Sequence, residues 1–234
     1  MAHGPGIHVR FNGGVLARLE RRALEWIARR LPDSISPDHL SALGLASMAG
    51  TAAAFAAFRW NDGAAAAAVV ATLAANWFGD SLDGTVARVR RIERLRYGYY
   101  VDHVIDLAGT SLLFAGLACS GLINPLLAVT LLAAYLLVSA ETYLATHATA
   151  VFRMSFFGFG PTELRIVLAA GAIAAVNGAS VEIPGMGSLR LFDIGALVAI
   201  AGLAVAFTMS AVRNARTLYR AEPVPHRGPV TRAA

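Results

Sequence analysis

Apolar residues run along this chain in long blocks broken by short polar or turn-forming segments. Six of these blocks cover residues 38 to 59, 63 to 88, 98 to 122, 125 to 149, 161 to 178 and 191 to 213. An α-helix needs about 20 apolar residues to cross about 30 Å of hydrocarbon, so each block predicts a membrane span. Asn124-Pro125, the stretch from Gly158 to Pro161, and the stretch from Ser180 to Ser188 with Pro184, Gly185 and Gly187 separate the last four. These residue types favour turn backbone. Between the first two blocks, which are Ala-rich, Asn61-Asp62-Gly63 is the predicted turn.

The pattern changes ahead of the first block. Across residues 15 to 31, a period of 100° per residue puts Val15, Leu16, Leu19, Ala23, Trp26 and Ile27 on one face. Arg18, Arg21, Arg22, Glu25 and Arg29 fall on the other. This predicts a helix lying in the membrane interface before Pro32 and Pro37 turn the chain into the first span. No short apolar core with a small-residue cleavage site follows Met1, so a cleavable signal peptide is not expected. The expected layout is an amino-terminal arm over 1 to 37, a six-helix transmembrane domain over 38 to 213, and a tail over 214 to 234. Its polar end from Glu222 is expected to be disordered. The fold class is therefore all-α and polytopic.

Composition agrees with a membrane domain: 56% of the 234 residues are hydrophobic, 15% are charged, and the mean hydropathy is +0.57. A soluble domain is the disfavoured alternative. All 20 basic residues are arginine, and with six spans eighteen of them fall on one side, leaving Arg59 and Arg190 on the other. The positive-inside rule then puts both termini and the second and fourth loops in the cytoplasm, and a bacterial inner membrane is the expected location. The net charge of +5 could suggest nucleic acid. However, the arginines flank apolar spans and do not form a basic domain with interleaved aromatics, so anionic lipid headgroups are the expected partner and nucleic acid is not. Cys119 is the only cysteine, which leaves no disulfide or thiolate metal site.

Four aspartates carry the candidate chemistry. Asp80 and Asp83 lie near the end of the second span, and Asp102 and Asp106 near the start of the third. Spacings of three and four put each pair on one helix face. One charged Asp within a span costs about 2.5 to 3.5 kcal/mol on insertion scales, so the cluster calls for compensation. The loop arginines Arg88, Arg90, Arg91, Arg94 and Arg96 have water and lipid phosphate competing for them. Divalent cations between the two acidic faces would compensate better. Hard oxygen ligands point to magnesium or manganese, which complete their shells with water and substrate phosphate. Two such ions suit phosphoryl transfer, and a carboxylate not used wholly as a ligand can accept a proton. Gly84 and Ala87 leave room for a base or a pyrophosphate beside the backbone, and Arg88 can fork onto a phosphate or a base carbonyl.

The string DSLDGTVAR from Asp80 to Arg88, followed by GYYVDHVID from Gly98 to Asp106, resembles the signature DxxDGxxAR then GxxxDxxxD of the CDP-alcohol phosphotransferases. The six-span layout with an amphipathic amino-terminal helix is similar to that family too. The resemblance implies that Asp80, Asp83 and Asp102 bind a pair of metal ions, and that Asp106 binds metal and serves as general base. It implies that Gly84, Ala87 and Arg88 contact the CDP moiety, that a hydroxyl acceptor attacks the donor's β-phosphorus, and that CMP leaves. The spacer between Arg88 and Gly98 is one residue longer than usual, so no role is assigned within 89 to 97. Upstream, SPDHLS from Ser36 to Ser41 is similar to the family's entry to the first span, and by that analogy Asp38 and Ser41 approach the CDP part of the donor. The plainer alternative is that Ser36 or Asp38 caps a helix after Pro37.

Acceptor-side candidates are the polar residues of the later spans: Glu141, Tyr143 and His147 on the fourth, Thr162, Glu163 and Arg165 at the start of the fifth, and Arg153 between them. Membrane-edge anchoring by Arg153 and Arg165, and capping by Glu163, are the plainer readings. Two donor classes stay open: CDP-diacylglycerol with a soluble alcohol, or a CDP-linked small alcohol with diacylglycerol. His103 after Asp102 resembles the DHxxD of choline and ethanolamine phosphotransferases. Outside the family, the alternative is a divalent-cation transporter. Small-residue faces such as Ala64 to Ala68 would permit a homodimer.

Overall fold

A computed structural model of the chain describes residues 17–149, 161–178, 180–183 and 187–222. Arg153, the break from Gly158 to Gly160, Val15, Leu16 and the tail beyond Glu222 lie outside the described residues. Seven α-helices appear among them: α1 (Ala17–Ala28), α2 (Pro37–Ala56, extended by a 3-10 turn Ala57–Arg59), α3 (Asp62–Val89), α4 (Leu95–Cys119), α5 (Pro125–Thr149), α6 (Pro161–Val176) and α7 (Leu191–Ala221). Strands β1 (Ser180–Ile183) and β2 (Gly187–Arg190) pair antiparallel between α6 and α7.

Five of these helices, α2 to α5 and α7, are long and apolar enough to span a bilayer. The fifth expected span, α6, has 16 described helical residues, about 24 Å at 1.5 Å per residue. In α7 the helix continues past the expected end at 213 to Ala221. The segment expected as a plain turn from Ser180 to Ser188 contains the hairpin strands. Ser180-Val181-Glu182-Ile183 alternates as a short strand does.

Local chemistry explains the helix ends. The Ser36 hydroxyl accepts from the His39 amide at 3.2 Å while the Ser36 amide donates to His39 Nδ1 at 3.2 Å, a reciprocal cap on α2 that Pro37 follows at its first turn. Asn61 accepts from the Ala64 amide at 2.9 Å and starts α3. At the other end of α3, Arg91 takes a left-handed φ of 56°, and the Ile92 amide bonds back to the Ala87 carbonyl at 3.0 Å. That geometry closes the helix in a Schellman turn, usually built on glycine. The loop to α4 is therefore only residues 90 to 94.

Small residues let the three central helices approach closely. A methyl group built on Gly79 of α3 would lie 2.6 Å from the Leu40 carbonyl oxygen and 2.8 Å from the Gly44 nitrogen of α2, and one on Gly116 of α4 would overlap the backbone of Ala52. Backbones in such contact replace side-chain packing where no hydrophobic drive operates between helices in lipid. In the half of the bundle that holds the α2–α3 turn, Phe55, Val69, Leu73, Leu113, Leu117 and Ile123 form an aliphatic core. Phe55 stacks with Phe58 at 6.2 Å between ring centroids and meets the Phe192 ring edge-on at 5.9 Å. Ala65 and Ala66 are buried there while Ala64 and Ala67 are exposed, so the small-residue face of α3 is partly used inside the chain.

At the opposite end, α1 docks on the bundle. Leu24 and Ala28 are buried, with Ile27, against Leu40 of α2 and Leu82 and Val86 of α3. The docked face is therefore rotated from the expected one, and Trp26 is 58% exposed beneath the Arg30 guanidinium, 3.9 Å from its ring centroid. Leu24, Ile27 and Ala28 repeat at three and four residues, the spacing of one helix face, and this stripe meets the protein while Trp26 looks outward.

Candidate active site

The α3–α4 hairpin brings the four aspartates to the end of the bundle that carries α1. Because α3 and α4 both cross α2 at glycines, their acidic faces meet beside the amino-terminal half of α2. Asp80, Asp102 and Asp106 each offer a carboxylate oxygen within 4.8 Å of the others. Ligand distances of about 2.0 to 2.6 Å to a hard divalent cation make that spacing bridgeable by one ion, and an all-carboxylate donor set fits magnesium or manganese. All three are half-buried.

Asp83 stands beside this triad with its carboxylate differently engaged. It accepts from the Ser41 hydroxyl of α2 at 2.7 Å and from the Gly84 amide at 2.5 Å. Asp38, at the first turn of α2, receives both contacts from the Arg94 guanidinium. Capping of α2 thus falls to Ser36, leaving Asp38 and Ser41 turned to the α3–α4 side. Arg88 folds back over Gly84, where its Nη1 lies 3.2 Å from the point a Cβ would occupy, and its Nη2 donates to Thr85 Oγ1 at 3.1 Å. Arg90 donates to the carbonyls of Ile35 at 2.7 Å, Leu31 at 2.9 Å and Pro32 at 3.0 Å. It pins the segment between α1 and α2 to the end of α3.

Arg165 of α6 reaches into the same cluster: its Nη2 donates to Asp80 Oδ2 at 2.6 Å and its Nε to Asn76 Oδ1 at 2.8 Å. Membrane-edge anchoring was the plainer reading of Arg165, an acceptor-side candidate, but it is half-buried and pairs directly with an aspartate of the site. Asn76 is a participant that motif reading does not supply. It lies one helical turn before Asp80 in an otherwise Ala-rich stretch, and that isolated polar residue on the acidic face is the signal that could have marked it.

His103 is held by its own helix. Its Nδ1 lies 2.6 Å from the Tyr99 carbonyl oxygen and 3.8 Å from Asp102 Oδ2, and its ring packs on Tyr99 at 4.0 Å and on Tyr143 of α5 at 5.2 Å. His147 is exposed on α5, and Glu163 is exposed in the first turn of α6. Glu141 turns away to α7, accepting from Asn214 at 2.9 Å.

The model of the CDP-alcohol phosphatidyltransferase family matches residues 35–217, most of the chain and all of α2 to α6. The chain is a member of the CDP-alcohol phosphatidyltransferase family. It is accordingly an integral membrane transferase of phosphate-containing groups, acting in phospholipid synthesis. No curated protein sequence matches it. Among solved structures, it is similar to phosphatidylinositol phosphate synthase of Mycobacterium tuberculosis with CDP-DAG bound, at a TM-score of 0.56 and 23% identity, over 91% of this chain and 99% of that one. The apo form of the same enzyme is also similar, at 22% identity and a TM-score of 0.49 over 85% of this chain and 94% of that one. At such identity the likeness to the CDP-DAG-bound structure shows a shared fold.

Proposed function

We propose that this phosphatidyltransferase moves a phosphatidyl group from a CDP-linked lipid to the hydroxyl of a soluble alcohol and releases CMP. The observation that carries this reading is the convergence of Asp80, Asp102 and Asp106 within 4.8 Å at one end of the bundle. The family's name and the CDP-DAG held by the tuberculosis enzyme favour a lipid donor. The open, largely apolar flanks of α5 and α7 suit acyl chains.

In this reading Asp80, Asp83, Asp102 and Asp106 would hold two magnesium or manganese ions, which would supply positive charge at the donor's diphosphate and the departing CMP. Asp106 takes the proton from the acceptor hydroxyl. The acceptor oxygen bonds to the donor's β-phosphorus as the bond from that phosphorus to the bridging oxygen breaks, and CMP departs with that oxygen. Gly84 and Ala87 admit the CDP moiety against the α3 backbone, Arg88 contacts its phosphate or base, and Asp38 and Ser41 close its far side. Arg165, Glu163 and His147, with Arg153, are assigned to the acceptor side. The active site faces the cytoplasm, following the arginine distribution.

His103 is packed against the Tyr99 carbonyl and two tyrosine rings, with Asp102 Oδ2 at 3.8 Å, so it does not by itself favour a CDP-linked small alcohol as donor. A cation path is disfavoured by the aliphatic filling of the far half of α2, α3 and α4. The test is CMP release by purified protein with Mg²⁺, using a matrix of CDP-linked donors and alcohol acceptors read by lipid mass spectrometry. The expected result is CMP and a new phosphatidyl product from CDP-diacylglycerol, abolished in Asp106→Asn. Product only from CDP-choline or CDP-ethanolamine with diacylglycerol would replace the donor assignment. No CMP from any donor, with metal flux in liposomes, would overturn the reading.

A further inference from the structure

Asn76 is only 6% exposed, and a buried amide in a membrane span needs partners at both ends. It has them. Its Nδ2 donates to the Gly44 carbonyl of α2 at 2.9 Å, and its Oδ1 accepts from Arg165 Nε at 2.8 Å. The first bond fixes which way the amide points, because a carbonyl can only accept. The oxygen must then face Arg165. With Nε tied to Asn76, the rigid planar guanidinium presents Nη2 to Asp80 Oδ2 at 2.6 Å. The chain of contacts runs from the α2 backbone, at the close crossing of Gly44 with Gly79, to one oxygen of a carboxylate in the triad.

We propose that Asn76 is a positioning residue that acts through Arg165 to hold the Asp80 carboxylate in the orientation that receives a divalent cation. Partners of a ligating carboxylate fix its rotamer, and losing them costs about 10- to 100-fold in metal affinity. Arg165 donates to Oδ2 alone, and the carboxylate keeps further lone pairs for an ion. This rests on the reading of Asp80 as a metal ligand, and it adds the residue, one turn earlier on α3, that orders that ligand through Arg165 of α6.

The test measures Mn²⁺ binding to the detergent-purified full chain by electron paramagnetic resonance, with no nucleotide or lipid substrate added. Asn76→Ala is expected to weaken Mn²⁺ binding by about tenfold, and Asn76→Leu, which keeps the buried volume, by a similar factor. In an Arg165→Met background the same Asn76 substitutions are expected to change the affinity no further, because the residue acts through the guanidinium. Equal losses in both backgrounds would overturn the proposal, as would an effect on thermal unfolding alone. Tighter binding in Asn76→Ala would also overturn it, by making Arg165 a competitor of the ion. Wild-type protein that binds Mn²⁺ with this coupling but releases no CMP from any donor would sink the transferase reading and leave the positioning role standing.

Discussion

The two halves of the bundle are built from the same three helices and solve opposite problems. Around the α2–α3 turn, Phe55, Phe58, Val69, Leu113 and Leu117 fill the space between helices, and among the described residues no charged side chain is buried with them. Around the α3–α4 hairpin the same helices bring four carboxylates together, with Arg165, Asn76 and Ser41 reaching them from α6, α3 and α2. Both halves use a glycine crossing, Gly116 on Ala52 in the first and Gly79 on Leu40 and Gly44 in the second. Close backbone contact in the first half serves packing. In the second it also sets how far apart the acidic faces stand, so stability and chemistry should separate under mutation.

The largest expected effect is on chemistry. Asp80→Ala and Asp102→Ala should each lower CMP release more than about 1000-fold, as for groups acting as a unit, while the chain still inserts into membranes. Retained turnover in either variant would remove that residue from the site. Next comes Phe55→Ala in the apolar half, where a fully buried ring leaves a cavity. Thermal or denaturant unfolding in detergent should report a loss of about 3 to 5 kcal/mol, with turnover per folded molecule unchanged. A matching fall in turnover would show that the halves are coupled.

The paired glycines sharpen the comparison. Gly79→Ala and Gly116→Ala should each destabilise by about 1 to 3 kcal/mol through forced backbone separation. Only Gly79→Ala should also reduce turnover, because Asp80 follows it directly. Equal turnover in the two variants would break the claim that the crossing at Gly79 sets the acidic spacing. The smallest effect is expected from Trp60→Ala, since that ring is 80% exposed at the apolar end. Its unfolding free energy should stay within about 0.5 kcal/mol of the parent.

Much of this was readable along the chain. Long apolar blocks have to become helices in a bilayer, because no other local structure satisfies their backbone there. The ends of α2, α3 and α5 accordingly fall within a few residues of the blocks. The spacing of three and four put each aspartate pair on one face for the same reason, since helix periodicity is a local property. The short described length of α6, the strands at Ser180–Ile183 and Gly187–Arg190, and the face α1 presents were less legible. For α1, periodicity defines a stripe but not which neighbour covers it.

What the amino-acid order determined by itself was the helical membrane class, the facing of each carboxylate pair and the family signature from Asp80 to Asp106. Each of these depends on residues a few positions apart, whose geometry a helix dictates. Only the tertiary structure decided that Arg165 pairs with Asp80, that Asn76 bridges it to Gly44, and that Ser41 engages Asp83 apart from the other three. Those partners come from separate helices, and the depth and rotation at which helices pack are set by glycine crossings and side-chain fit summed over the whole bundle. A motif read along one strand of sequence does not contain that sum.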